Sequence, residues 1–282
     1  MSIEVKNISK SFGSTCALGG VSINLEENRI YGLLGRNGAG KTTLLNIITN
    51  RIFADEGEVL VDGLSSMEND EALSKIYMMG EKNYYPDNMK IKEIFRWTKE
   101  FYPSFDMDYA KKLADLFELN LSKNVKSLST GYNSIFKVII ALSVNTAYVL
   151  LDEPVLGLDA NHRDLFYKLL IEKYSSHPAT YVISTHLIEE VSNIIEDVII
   201  IKKGKIIKNE TREELMSVGY TVSGMASLVD EFIKGKEVIG TDSIGGLKSA
   251  YIMGQIIRTD IPKGLEITKM DLQKLFVQLT NA

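Results

Sequence analysis

Alternating apolar and polar positions open the chain. Within residues 1–29, Val21, Ile23 and Leu25 share one face, which predicts short strands of an antiparallel sheet. From Ile30 a compact apolar strand leads into a glycine-rich turn and then into a segment with helical spacing. That order is typical of the strand, loop and helix units of α/β folds.

Three further apolar runs predict buried strands, at residues 148–151, 181–184 and 198–201. Helical stretches separate them, as the crossovers of a parallel sheet require. Residues 86–143 have mostly helical periodicity and lie between the two halves of this pattern. We therefore predict an α/β fold with a mainly parallel core sheet, an N-terminal antiparallel β subdomain and an inserted α-helical subdomain.

The last quarter of the chain has a different character. Residues 209–282 contain short apolar segments interrupted by glycines, which predicts a small C-terminal α+β module beside a main domain at 1–208. Its last helix is predicted to be amphipathic, with Leu272, Leu275 and Phe276 on one face together with Leu279. We expect that face to pack on its own module; a dimer contact or a regulatory role is the alternative.

Composition narrows the class of protein. Hydrophobic residues make up 45% and charged residues 24% of the 282 residues, close to a globular average, and the net charge of -5 gives no reason to expect a nucleic acid partner. Cys16 is the only cysteine, which excludes an internal disulfide, and we expect it to be a buried small side chain. The pattern of the first ten residues predicts a strand rather than a signal peptide. The apolar runs are shorter than the ~20 residues that cross a bilayer. A membrane role would therefore require a partner.

A phosphate-binding loop is the strongest chemical signal. Residues 35–42 match the pattern GxxxxGK[ST], preceded by an apolar strand and followed by an apolar-periodic helix. The glycines let backbone N–H groups surround phosphate oxygens at the positive end of that helix. Lys41 is expected to reach the β and γ phosphates and Thr42 to hold Mg²⁺.

Carboxylates follow the apolar strand at residues 148–151. Asp152 would orient Mg²⁺, and Glu153 would act as the general base that polarises the attacking water. His186 follows the next strand and would contact the γ phosphate, although a histidine at a strand end is often structural. His162 and His177 lack such a setting, and we expect them at the surface.

Residues 128–132 read LSTGY and precede another apolar-periodic helix, so a serine and a glycine cap a helix N-terminus. This cap is commonplace alone. The order of phosphate loop, helical insertion with this cap, strand with Asp152 and Glu153, and then His186 resembles the nucleotide-binding domain of ABC transporters. The resemblance covers about residues 1–208 and implies a P-loop NTPase core.

The resemblance implies a role for each matching position. Residues 35–43 resemble the Walker A loop, 149–153 the Walker B strand and 157–159 the D-loop. The implied catalytic residues are Glu153, His186 and Lys41, and the implied cofactors are ATP and Mg²⁺. Implied nucleotide-binding residues are Phe12, which would stack on adenine, Asn37, Gly38, Ala39, Gly40, Lys41, Thr42, Thr43, Ser129, Gly131 and Asp159. Implied Mg²⁺ ligands are Thr42, Asp152 and Glu81.

Two segments depart from the family's pattern. The signature reads LSTGY where LSGGQ is usual, but Ser129 and Gly131 remain, so we expect catalysis to persist. The Q-loop glutamine is replaced, with either Gly80 or Glu81 at its position. A carboxylate there can still ligate Mg²⁺. Tyr84, Tyr85 and Pro86 follow, near the family's groove for membrane subunits; core packing is the alternative.

The leading functional prediction is a subunit that dimerises on ATP with an identical or related chain and drives a separate membrane permease. In the family, the signature of one subunit completes the ATP site of the other. The LSTGY variant and short C-terminal module resemble small bacterial exporters of peptides, toxins or drugs, such as the phenol-soluble modulin and bacitracin-type exporters. The chain would then lie peripherally on the cytoplasmic face of the cell membrane.

Two other classes compete with this prediction. One is a soluble ABC-type ATPase acting on the ribosome or DNA, which usually carries two cassettes or a long coiled coil that this sequence lacks. The other is a module that senses ATP without hydrolysing it. The presence of Glu153, Lys41 and His186 argues against a module that has lost hydrolysis.

Overall fold

The structure is a computed structural model that describes residues 1–255 and 262–281. The first part contains β1 (Ser2–Phe12), β2 (Thr15–Glu26), β3 (Ile30–Leu34), α1 (Lys41–Ile48), β4 (Glu56–Val61), β5 (Leu64–Ser65), α2 (Asp70–Leu73) and β6 (Ile76–Met79). The middle part contains α3 (Ile91–Phe101), α4 (Met107–Leu116), α5 (Thr130–Ser143), β7 (Tyr148–Asp152), α6 (Ala160–Ser176), β8 (Thr180–Thr185), α7 (Ile188–Val191), β9 (Asp197–Lys202) and β10 (Lys205–Thr211). The last part contains α8 (Arg212–Ser217), β11 (Gly219–Met225), α9 (Ala226–Phe232), β12 (Glu237–Ile244), β13 (Leu247–Met253), β14 (Leu265–Lys269) and α10 (Leu272–Asn281).

The central sheet has six strands in the order β10-β9-β3-β8-β7-β6. Five of them are parallel, and β10 pairs antiparallel with β9. Strands β3, β6, β7 and β8 are buried at every position, because helices or the second sheet cover both faces. The α/β fold predicted from the apolar runs is confirmed.

A four-stranded antiparallel sheet, ordered β2-β1-β4-β5, precedes and covers part of this core. Val21, Ile23 and Leu25 of β2 all point inward, as their alternation predicts. They share one apolar cluster with Leu44 and Leu45 of α1. The helix that carries the phosphate loop is therefore held between two sheets.

Helices α3, α4 and α5 form the helical part of the chain within residues 86–143. Their apolar faces meet in the larger of the two apolar clusters, where Phe95, Leu113 and Phe136 are fully buried. Asp106 begins α4 by accepting hydrogen bonds from the N–H groups of Asp108 and Tyr109, at 3.1 and 2.9 Å. The sequence thus specifies both the buried face and the start of this helix.

The C-terminal part is a four-stranded antiparallel sheet, β12-β13-β11-β14, with short helices. Its last helix, α10, packs against both β12 and α7, so it contacts the main domain as well as its own sheet. Arg36 Nη1 donates to Asn281 Oδ1 at 3.3 Å, and Lys202 Nζ donates to the Leu279 carbonyl at 3.1 Å. Packing on its own module therefore describes only part of the environment of α10.

Two side chains differ from their predicted environments. Cys16 is exposed rather than buried, because it lies near the β1–β2 turn, beyond Leu18, the buried residue of β2 nearest to that turn. His177 is at the surface as predicted, whereas the His162 side chain is only 29% exposed. Its ring lies 5.9 Å from that of Phe117, which explains the burial.

Among residues 1–255 and 262–281, the structure has no helix both long and apolar enough to cross a membrane.

Candidate active site

The phosphate loop connects β3 to α1, as its motif predicts. Gly40 stands at the N-terminus of α1 with a φ of 112°, and a Cβ there would lie 2.7 Å from the Ala17 carbonyl oxygen. Only glycine fits both the left-handed backbone and this close approach. Lys41 is the next residue and is 6% exposed, and its Nζ donates to the Gly35 carbonyl at 2.7 Å. The lysine is thus folded back over its own loop.

Asp152 is placed at the carboxyl end of β7 and is buried. Thr42 Oγ1 donates to its Oδ2 at 2.7 Å, and Ser184 Oγ of the neighbouring strand β8 donates to its Oδ1 at 2.7 Å. Hydroxyl and carboxylate oxygens are the ligands that Mg²⁺ prefers, and Mg²⁺ commonly takes only one or two from protein beside phosphates and water. Thr42 and Asp152 therefore fit the ion that a bound nucleotide would bring.

Glu153 directly follows β7, and both of its carboxylate oxygens have partners. Oε1 lies 2.9 Å from His186 Nδ1 and 3.7 Å from Lys41 Nζ, and Oε2 accepts a hydrogen bond of 3.1 Å from Thr185 Oγ1. The Glu153 backbone has a φ of 50°, which is uncommon for a residue with a side chain. Such conformations concentrate at functional sites, where the surrounding structure holds them in place.

One open cavity of about 410 Å³ brings most of the predicted residues together. Its lining includes the following predicted site residues: Asn37, Gly38, Ala39, Gly40, Lys41, Thr42, Thr43, Glu81, Glu153 and His186. Of the two candidates for the Q-loop position, Glu81 lines this cavity and Gly80 does not. Phe12 is 52% exposed and pairs in register with Thr15, another lining residue, so its ring stands near the mouth of the cavity.

Five predicted site residues are not part of this lining. Phe12 stands near the mouth, Asp152 is hydrogen-bonded to the lining residue Thr42, and the other three are Ser129, Gly131 and Asp159. Ser129 caps α5 by accepting a hydrogen bond from the Tyr132 N–H at 3.3 Å, and a Cβ on Gly131 would lie 2.8 Å from the Gly157 carbonyl oxygen. Asp159 caps α6, and hydrogen bonds from the backbone and ring of His162 lower the pKa of its carboxyl. A single chain therefore does not bring the signature residues to its own phosphate loop.

Several residues at the site carry no motif signal. Ser184 and Thr185 hold the two acidic side chains, and their only sequence signal is their place at the end of a buried strand, just before His186. Arg163 pairs with Glu190 and joins the helix after Asp159 to the helix after His186. Lys137 is buried in α5, and this burial lowers the pKa of its ammonium group.

The site combines a glycine-rich loop before a helix, a buried lysine, and a threonine paired with an aspartate at the end of β7. These features define a P-loop nucleotide-binding protein. The family model described as "ABC transporter" matches residues 18–156. The chain belongs to the ABC transporter family of ATP-binding proteins.

Relatives with names in this family support the assignment. The chain is 32% identical over 192 residues to the ABC transporter ATP-binding protein YtrB of Bacillus subtilis, spanning 68% of this chain and 66% of YtrB. It is 31% identical to an uncharacterized ABC transporter ATP-binding protein, MJ1023, of Methanocaldococcus jannaschii, over 73% of this chain and 76% of MJ1023. The petrobactin import ATP-binding protein YclP of B. subtilis is 28% identical, over 76% of this chain and 88% of YclP.

Solved structures agree with the fold. The ADP conformation of MJ1267, an ATP-binding cassette of an ABC transporter, is 25% identical, with a TM-score of 0.63 over 77% of this chain and 94% of MJ1267. The enzyme class of the chain is accordingly that of an ABC ATPase.

Proposed function

We propose that this chain hydrolyses ATP as one of two paired cassettes and thereby drives a separate membrane permease. In this proposal Lys41 and the loop amides hold the phosphates, and Thr42, Asp152 and Glu81 hold Mg²⁺. Glu153 takes a proton from the attacking water. His186 orients Glu153 and contacts the γ phosphate. Mg²⁺, when bound, would neutralise charge that develops on the phosphates.

In this proposal the second cassette supplies the signature residues, which are absent from the cavity of a single chain. Ser129 and Gly131 sit at the N-terminus of α5, whose positive end favours a phosphate, yet they lie outside their own chain's cavity. Two chains placed face to face would bring each signature to the partner's phosphate loop. The pairing chain would be identical or related.

An exposed aromatic groove carries the permease proposal. The groove has a volume of about 880 Å³, and Tyr84, Trp97 and Phe101 in its lining are 67%, 54% and 75% exposed. Large exposed aromatic side chains in one groove are typical of a protein interface. Residues 80–86 join the two sites: Glu81 lines the ATP cavity, and Tyr84 lines the groove three residues later. A change in the cavity on ATP binding would therefore reach a partner bound in the groove.

The occupant that we propose is a short amphipathic helix of a permease, whose apolar face would enter the groove. The chain would then be peripheral on the cytoplasmic face of the membrane. For the direction of transport, the LSTGY signature favours export of a peptide, toxin or drug. The relationship to YclP, named for petrobactin import, makes direction a question for a transport assay.

Co-purification with the permease encoded beside this chain tests the proposal. Phe101→Ser should weaken association with the permease and permease-stimulated ATPase activity, while ATPase activity of the chain alone is retained. Phe53→Ser is the matched control, since Phe53 is 53% exposed and lies outside the groove. Association that is unaffected by Phe101→Ser, or association with ribosomes or DNA in place of a permease, would contradict the proposal.

A further inference from the structure

A buried lysine connects the signature helix to the loop that carries Glu81. Lys137 lies in the middle of α5 and is 6% exposed. Its Nζ donates to the Gly80 carbonyl at 3.0 Å and to the Glu81 carbonyl at 2.5 Å. An ammonium group taken out of water must be satisfied by such bonds, and in turn it fixes the groups that satisfy it. Two consecutive peptide units at the edge of the ATP cavity are thus held by one side chain.

Helix α5 contacts the same loop at two more positions. Asn83 Nδ2 donates to Asn133 Oδ1 at 3.4 Å, and the ring of Tyr85 lies 5.1 Å from that of Phe136 in an edge-to-face arrangement. The loop therefore packs against residues 133–137 of α5, little more than one helical turn. Lys137 is the contact nearest to Glu81.

A second cation holds the strand and loop from the opposite side. Arg51, just beyond α1, donates from Nη2 to the Met78 carbonyl at 3.0 Å, and its guanidinium lies 5.2 Å from the Tyr84 ring. Residues 78–84 are thus held between the phosphate-loop helix and the signature helix. Of these two contacts, the bond from Lys137 is the buried one.

We propose that Lys137 is a positioning residue that fixes Gly80 and Glu81, so that the Glu81 carboxylate enters the ATP cavity beside Thr42. Gly80 has no Cβ and leaves this turn otherwise free to change its backbone conformation. Because Ser129 caps the same helix, a displacement of the signature would move Glu81 with it. The inference needs an ATP site but no permease, so it and the permease proposal can fail separately.

Nucleotide affinity with and without Mg²⁺ tests this role in the full chain. The probe is a fluorescent ATP analogue, titrated into the protein once in the presence of Mg²⁺ and once in the presence of a chelator. The dissociation constant with chelator divided by that with Mg²⁺ measures how much Mg²⁺ strengthens binding. We expect Lys137→Met and Glu81→Ala each to lower this ratio several-fold. The double variant should show no further loss, because Lys137 acts through Glu81.

Lys137→Arg should restore most of the ratio, since a guanidinium can donate to the same two carbonyls. A lysine that only supports the fold would lower stability but leave the ratio unchanged. An unchanged ratio in Lys137→Met, or losses that multiply in the double variant, would overturn the proposal. Should Lys137→Met fail to fold, Lys137→Gln takes its place: its shorter amide cannot reach both carbonyls as lysine does, so a ratio between those of the wild type and Glu81→Ala is expected, and an unchanged ratio would overturn the proposal.

Discussion

His186 Nδ1 lies 2.9 Å from Glu153 Oε1, and this contact joins the residues that follow two neighbouring parallel strands, β8 and β7. Thr185 Oγ1 holds the other carboxylate oxygen at 3.1 Å. The direction in which Glu153 points is therefore set by the last residue of β8 and the residue that follows it. A general base is effective only when it faces the proton that it accepts.

His186→Ala should lower the kcat for ATP much more than it weakens ATP binding, because in the proposed site Lys41 and the loop amides hold the phosphates. Loss of a partner that orients a metal ligand typically costs about 10–100-fold in activity, and we expect a loss of that order here because His186 orients Glu153 in the same way. Steady-state ATPase assays with a fluorescent-nucleotide binding assay separate the two quantities. His177→Ala is the control, because His177 is exposed and lies outside the ATP cavity. A kcat equal to that of the wild type would rule out the positioning role.

Mixing two inactive variants tests whether the signature acts in the partner's site. Lys41→Ala removes the phosphate-binding lysine, and Ser129→Arg places a bulky cation at the signature. A mixed dimer contains one site with both an intact lysine and an intact serine, so ATPase activity should appear on mixing. The control is a mixture of Lys41→Ala with the double variant, which offers no intact site. Equal activity in the two mixtures would argue against shared sites.

How far the sequence predicts the site depends on the distance between the residues involved. The sequence predicts that Lys41, Thr42, Asp152 and Glu153 share a site, because each belongs to a local pattern at or after the end of a strand. The structure places the four side chains together. The contact from Lys137 to Glu81 spans 56 positions and has no local signal. Sequence patterns thus specify the loops of this site better than the side chains that hold them.

The same limit applies to the fold. The alternation in β2 predicted the buried face of the first sheet, but it did not show that Cys16 lies beyond the last buried position. The apolar spacing of α10 predicted its buried face, with Leu275 at its centre, but not the partner helix α7. Which surfaces meet is decided by packing between segments that are distant in sequence.

Acid should remove a stabilising contribution from Asp62. Burial raises the pKa of this carboxyl, but hydrogen bonds from Tyr148 Oη at 2.6 Å and Lys75 Nζ at 2.9 Å outweigh burial and lower it. A carboxyl whose pKa is lower in the folded state stabilises that state at pH values above its unfolded-state pKa of about 3.9. This stabilisation is lost as the pH falls through the folded-state pKa. Asp62→Asn should therefore lower Tm at neutral pH, with a difference that shrinks below about pH 4.

Asparagine tolerates the left-handed backbone of Asp62, whose φ is 51°, so the substitution removes the charge and one acceptor oxygen without straining the backbone. Thermal unfolding followed by circular dichroism from pH 3 to pH 8 provides the measurement. Asp108→Asn is the control, since the Asp108 side chain is 92% exposed and makes only a surface ion pair with Lys111. A difference that stays constant across this range would contradict the linkage.

Leu275→Ala should destabilise the whole chain. Leu275 is fully buried in α10, and a Cβ on Gly219 would lie 2.7 Å from its Cδ1. Removing a buried leucine side chain costs about 2–5 kcal/mol, which chemical denaturation can measure. Val277→Ala, at a position 38% exposed, should cost much less. Equal effects would show that α10 does not form part of the folded core.

ATP turnover by Glu153→Gln, measured together with its molecular mass in ATP, tests the central claim most directly. Glutamine keeps the shape of the side chain but cannot take a proton from water, so turnover should fall by about 10²–10⁴-fold while ATP binding persists. Light scattering should then show a stable dimer in ATP and a monomer in ADP. Turnover close to that of the wild type, or a monomer with ATP bound, would contradict the account of a paired ATPase in which Glu153 is the base.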